Sequence, residues 1–128
     1  MTSIVTALRW VARLDGLAAL ILGIILWTGS SSAGSLKIHI LTGFVMTITL
    51  LLVGLMGFFS RIKPALPGIA IVWAILLPYV GFAQLKLMPG ASHVVIEIVH
   101  LLIGICAIGL VEANGAKITR EAHPEARA

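Results

Sequence analysis

Long apolar runs separated by short polar stretches organise the whole chain. No charged residue stands between Asp15 and Lys37, between Lys37 and Arg61, or between Lys63 and Lys86. Each gap holds about 20 residues, the length an α-helix needs to cross roughly 30 Å of hydrocarbon. A fourth apolar run, from His93 to Gly115, is interrupted by Glu97 and His100 and carries Glu112 near its end. Turn-forming stretches lie between the runs: the Gly/Ser segment 29–35, then Arg61-Ile62-Lys63-Pro64, then Met88-Pro89-Gly90-Ala91-Ser92. The pattern predicts an all-α integral membrane protein with four spans at about 11–28, 36–59, 65–86 and 93–115. These form one transmembrane domain over 1–116, followed by a solvated tail over 117–128. Ser35 and Ser92 are the expected N-caps of the second and fourth spans, Pro64 belongs near the first turn of the third, and Pro78 inside that span predicts a kink.

Composition narrows the class. The chain has 128 residues, 59% hydrophobic and 11% charged, with a mean hydropathy of +1.11. A soluble domain carries about a quarter charged residues, so a soluble globular fold, a disordered tail and a nucleic-acid binder are excluded. The net charge of +4 sits in short clusters beside the apolar runs. Arg9, Arg13, Arg61, Lys63, Lys117, Arg120 and Arg127 fall on the side that holds both termini, and Lys37 and Lys86 on the other. That bias predicts cytoplasmic termini and a multi-pass protein of the plasma (inner) membrane. Trp10 and Trp27 near opposite ends of the first span fit one full crossing, and the first span is expected to be retained and not cleaved as a signal peptide. Cys106 is the one cysteine, which leaves no internal disulfide and no cysteine metal cage.

Ionisable groups inside a hydrocarbon slab are costly unless paired, so each is a functional candidate. Asp15, two residues from Arg13, is expected to be a structural ion pair or to reach the interface, and Glu112 likewise. The histidines differ. Span two carries His39-Ile-Leu-Thr-Gly43 and span four His100-Leu-Leu-Ile-Gly104, a shared His-x-Leu-x-Gly. Its recurrence in equivalent spans suggests two copies of one helical hairpin. Each glycine lies about 40° from its histidine on the helix wheel, opening space beside the imidazole for a flat macrocycle. The same face continues through Met46, Leu50, Gly54 and Gly57 in span two, and through Ala107 and Val111 in span four. Small residues at such spacing also serve helix packing. Two imidazoles on separate helices suit axial ligation of a haem iron, with His39 and His100 as the favoured pair. His93 shares a face with Glu97 and His100 and is the other choice for second ligand. A mononuclear site from His39, His93, His100 and Glu97 without haem is the nearest chemical alternative. No phosphate loop or nucleophile elbow occurs, so hydrolase and NTPase readings have no support.

With His39 and His100 on alternate spans, the chain resembles the b-type haem membrane cytochromes, a group that includes the cytochrome b561 type and the half-bundles of haem A synthase. That resemblance implies one haem b per chain, bound by His39 and His100 with Gly43 and Gly104 admitting the porphyrin. The b561 type carries four membrane histidines for two haems; this chain has three. Lys37 and Lys86, on the outer side, are candidates for the haem propionates, and His93 for a propionate, quinone or proton partner. The expected activity is single-electron transfer with a quinol or a periplasmic redox partner, an oxidoreductase component and not a hydrolytic enzyme. The alternative is an accessory membrane subunit that docks another membrane protein or a second copy through the glycine faces at Gly54, Gly57, Gly104 and Gly109.

Overall fold

The computed structural model describes residues 1–29, 32–60, 62–84, 86–88 and 90–122. Four helices make up nearly all of it: α1 (Thr2–Trp27), α2 (Ala33–Phe58), α3 (Ala65–Ala83) and α4 (His93–Ala122), the last preceded by a single 3₁₀ turn at Gly90–Ser92. All four are long and apolar enough to cross a membrane. The expected all-α architecture of four helices of membrane-spanning length is therefore present. Residues 123–128 of the expected tail, together with Arg61 and Pro89, lie outside the described residues.

Consecutive helices run antiparallel. The end of α1 meets the start of α2 where His39 approaches Gly23. The end of α2 meets the start of α3 where Gly57 approaches Pro67, the end of α3 meets the start of α4 at Gly81 and His100, and the start of α1 meets the end of α4 at Val5 and Gly115. Helix α2 packs on all three others, and α4 likewise, while α1 and α3 each pack on α2 and α4. In cross-section the bundle is a rhombus with α2 and α4 on the short diagonal.

The core lies along that diagonal. Met46, Leu50 and Val53 of α2 meet Ile103, Ala107 and Val111 of α4, with Val5 and Ala12 from α1 and Ala70, Ala74 and Leu77 from α3. The face extrapolated from the two histidines is thus the buried face of both helices. Gly54 and Gly57 are consumed inside the bundle: a Cβ at Gly57 would lie 2.8 Å from Pro67 Cγ, and one at Gly54 3.0 Å from Ile71 Cγ1. They are not a surface for docking another protein, because α3 already occupies that face. Gly104 and Gly109 have open space where a Cβ would stand.

Several local expectations need correcting. The N-cap of α2 is Ser32, not Ser35. Ser35 is its N3 partner, its hydroxyl accepting from the Ser32 N–H at 2.9 Å while Ser32 Oγ accepts from the Ser35 N–H at 3.0 Å. Two serines at N-cap and N3 satisfy each other's backbone donors, a reciprocal capping box. Helix α1 starts at Thr2, well before the expected 11, and α4 runs on to Ala122, through the first half of the expected solvated tail. The two extensions support each other, since Val5 and Ile118 are both buried in the common core. Helix α3 continues through Pro78 to Ala83.

Polar side chains inside the spans mostly bond within the protein. Thr49, Asn114 and Thr119 each donate to the carbonyl four residues back on their own helix. A side-chain-to-backbone bond crosses helices where the Trp73 indole N–H of α3 donates to the Ile103 carbonyl of α4 at 3.0 Å.

Candidate functional site

The two histidines of the repeated motif meet across the short diagonal. His39 lies in the second turn of α2 and His100 in the third turn of α4, and their ring centroids are 6.1 Å apart with 66° between the ring planes. Each ring rests on a glycine of the preceding helix. A Cβ at Gly23 of α1 would stand 3.5 Å from His39 Cε1, and a Cβ at Gly81 of α3 would stand 3.4 Å from His100 Cε1. His39 also lies beside the backbone of Ala19. The Nδ1 atoms of both rings are buried and have no hydrogen-bond partner among the described residues. Uncompensated ring nitrogens in an apolar interior are expensive, so a ligand that engaged them would remove a cost that contacts within the bundle leave.

The room beside the rings is consistent with such a ligand. Gly43 and Gly104, one turn along from the histidines, have nothing within 4 Å of a would-be Cβ although both lie beside core positions, Met46 and Ala107. Phe44 and Phe82, next in sequence to Gly43 and Gly81, pair at 6.1 Å between ring centroids and join α2 to α3 at this level. A metal gripped between two imidazoles at about 2.0–2.1 Å from each nitrogen puts the ring centroids about 6 Å apart. Each ring plane has only to contain its own metal–nitrogen axis, so a large twist between the planes is compatible with the grip. By spacing, buried unpaired nitrogens and adjoining glycines, the residues present fit a haem iron held from two sides.

The remaining candidates fall elsewhere. His93 Nδ1 is 3.2 Å from the Leu87 carbonyl, and its Nε2 is 3.9 Å from Glu97 Oε1. These contacts tie the connection after α3 to the first turns of α4 and leave His93 and Glu97 as a pair of their own. Among the described residues no group of three or more His, Cys, Asp or Glu side chains gathers in metal-binding geometry, so the four-donor set His39, His93, His100 and Glu97 is not brought together. Lys37, in the first turns of α2, and Lys86, just beyond α3, are exposed at the same end of the bundle as the two histidines.

At the opposite end the ion pairing differs from the expectation. Arg13 and Asp15 are two residues apart, about 200° around the helix, and cannot face each other. Arg9 and Arg13, one turn apart, both reach across to α4. Arg9 donates from Nε and Nη2 to Glu112 Oε2 at 2.9 and 2.6 Å, and Arg13 from Nε to Oε1 at 2.8 Å and from Nη2 to Oε2 at 3.0 Å. Asp15 Oδ2 is buried without a hydrogen-bond partner among the described residues.

Gly23, Trp73 and the Phe44–Phe82 pair were not singled out from the sequence. The only prior signal for Gly23 was its position one helical end from the motif histidine of the next span. No protein-family model, curated protein or solved structure matches this chain.

Proposed function

We propose that this protein is a four-span membrane electron carrier that holds one b-type haem between His39 and His100. The observation that carries the reading is the pair of histidine rings on α2 and α4, each with a buried Nδ1 that has no hydrogen-bond partner among the described residues, with ring centroids 6.1 Å apart, a separation compatible with a shared metal. When bound, haem would supply a reversible one-electron couple, with His39 and His100 as the residues that would hold it. The chain's own groups do the positioning. His39 is seated against Gly23 and His100 against Gly81, which limits each ring's orientation. Gly43 and Gly104 leave space for a planar ring system on the same faces. Lys37 and Lys86 offer positive charge to propionates at that end.

The equivalent seating of the two histidines supports a hairpin repeat, α1–α2 and α3–α4, related by an axis along the membrane normal. Charge bias supports cytoplasmic termini in the plasma membrane, and with that orientation the histidine pair would lie toward the outer leaflet. Donor and acceptor would then be a lipid-soluble quinol and a partner on the outer face.

The test is the reduced-minus-oxidised visible spectrum of protein expressed with ample haem supply. A sharp α-band of a low-spin haem is expected, lost in His39→Ala and in His100→Ala and retained in His93→Ala. A wild-type protein that stays colourless under these conditions refutes the proposal. A second reading, an accessory subunit docking through α4, is favoured by the exposed and open position of Gly109. It predicts that both histidine variants lose some stability and that the wild type has no pigment to lose.

A further inference from the structure

The far end of the bundle from the histidines holds an ion cluster that the electron-carrier reading does not use. Glu112 of α4 takes four N–H bonds from Arg9 and Arg13, which occupies both its oxygens. Two guanidiniums against one carboxylate leave a surplus of one positive charge. Each guanidinium has five N–H donors and spends two on Glu112, so three on each are not used in that pairing.

Both arginines are held in place. The stem of Arg9 lies in the notch left by Gly115, where a Cβ would be only 2.6 Å from Arg9 Cδ. The Arg13 guanidinium stands over the Trp10 ring, 4.8 Å from its centroid. Stacking and the bidentate grip on Glu112 fix the plane of the fork, while the Arg13 side chain keeps 41% of its exposure. Depth places the cluster as well. Twenty residues counted back from Trp27, the last residue of α1, end near Leu8, and twenty counted forward from His93, the first of α4, end at Glu112. Arg9, Arg13 and Glu112 therefore sit about where hydrocarbon gives way to headgroups, at the interfacial level that Trp10 prefers. The anion anchored at that depth is the lipid phosphate, and a planar fork with spare donors binds phosphate in bidentate fashion.

We propose that the Arg9–Glu112–Arg13 cluster is a binding site for the phosphate of an anionic phospholipid headgroup, at the edge where α1 and α4 meet. Glu112 acts as the template that holds two arginines side by side despite their repulsion, and the lipid neutralises the surplus charge. This site is independent of the histidine pair and stands whether or not haem binds there.

The experiment is native mass spectrometry of the full chain, released from neutral detergent and titrated with phosphatidylglycerol, with phosphatidylcholine and inorganic phosphate as parallel probes. One tightly held phosphatidylglycerol per chain is expected, about tenfold weaker in Arg13→Ala. Lys117→Ala, which removes an exposed cation about 140° around α4 from Glu112, is expected to bind as the wild type does. Arg13→Lys keeps the charge without the fork, guards against misfolding of the alanine variant, and is expected to bind about threefold more weakly than wild type. Equal phosphatidylglycerol binding by wild type, Arg13→Ala and Arg13→Lys overturns the proposal. So does competition by inorganic phosphate at the same concentration as the lipid, which would make this a free-anion site, and so does equal loss in Lys117→Ala, which would reduce the effect to net charge.

Discussion

Substituting alanine for Gly57 tests whether the α2–α3 contact is as close as the packing indicates. The new Cβ would meet Pro67 Cγ at 2.8 Å, Pro67 Cβ at 3.2 Å and Ile62 Cδ1 at 3.2 Å. Non-bonded carbons settle at about 3.5–4.0 Å, so the proline must retreat by roughly 0.7 Å or more. Pro67 is fully buried, and a change of ring pucker moves its Cγ but leaves its Cβ 3.2 Å from the new atom, so part of the adjustment falls on the first turn of α3. Overpacking of this kind costs about 1–3 kcal/mol. In water an interior Gly→Ala change would return up to about 1 kcal/mol of helix propensity, but a span that stays helical in the membrane before it packs gains less. The expected net loss for Gly57→Ala is about 1–2 kcal/mol, close to a tenfold shift in the folding equilibrium. Gly109→Ala, with nothing within 4 Å of the new atom, serves as the matched control and should stay within about 0.5 kcal/mol of wild type. Reversible unfolding in mixed micelles at rising dodecyl sulfate fraction, followed by tryptophan fluorescence, gives both values. Adding Pro67→Ala should recover part of the loss, because it deletes the nearest clashing atom. Equal midpoints for Gly57→Ala and Gly109→Ala, or a failure of the second substitution to restore anything, would refute the reasoning.

The same assay checks three further expectations. Glu112→Gln should lower the unfolding midpoint, since two guanidiniums then face each other with no anion, whereas Asp15→Asn should raise it by removing a carboxylate with a buried, unpartnered oxygen; opposite signs for two carboxyl-to-amide changes are the outcome to look for, and a shared sign counts against this pairing. Trp73→Phe keeps most of the ring and deletes the donor to the Ile103 carbonyl, for an expected loss of about 0.6 kcal/mol, typical of single interhelical hydrogen bonds in membranes. Ser32→Ala removes one half of the capping box and should cost about 1 kcal/mol locally, visible as faster amide exchange in the first turn of α2 with little effect on α3.

The four spans could be read from the sequence because charge is a strong signal in a membrane: stretches free of Asp, Glu, Lys and Arg have one stable home. The meeting of His39 with His100 was legible for a related reason, since a motif repeated on two buried faces has few ways to avoid itself in a bundle of four. What the sequence hid depended on neighbours. The start of α1 at Thr2 and the persistence of α4 to Ala122 rest on mutual packing of Val5 with the Gly115 region, which neither segment announces alone. Asp15 looked like the partner of Arg13 because it is near in sequence, but helix geometry turns it away and delivers Glu112 from the far end of the chain. Ser32 and Ser35 are chemically equivalent as caps, and only the backbone path of the preceding connection decides which of them leads. Gly54 and Gly57 could equally have faced a foreign helix; the chain's own Pro67 took the place.

The Trp73–Ile103 bond lies one turn below His100, and the tight Gly54 and Gly57 contacts lie farther along, so the bundle is pinned from its middle to one end. At the other end the histidines face each other near open glycine positions. Such a shape works like a clothes-peg, with the indole bond near the pivot and the Phe44–Phe82 contact as a tie across the jaws. The jaws are the α1–α2 and α3–α4 hairpins, so a guest between His39 and His100 is accommodated by the two hairpins bending apart at that end, while the closed half stays as it is. The thickness of guest that the jaws accept is therefore set by how far the two hairpins can bend apart beyond the indole bond.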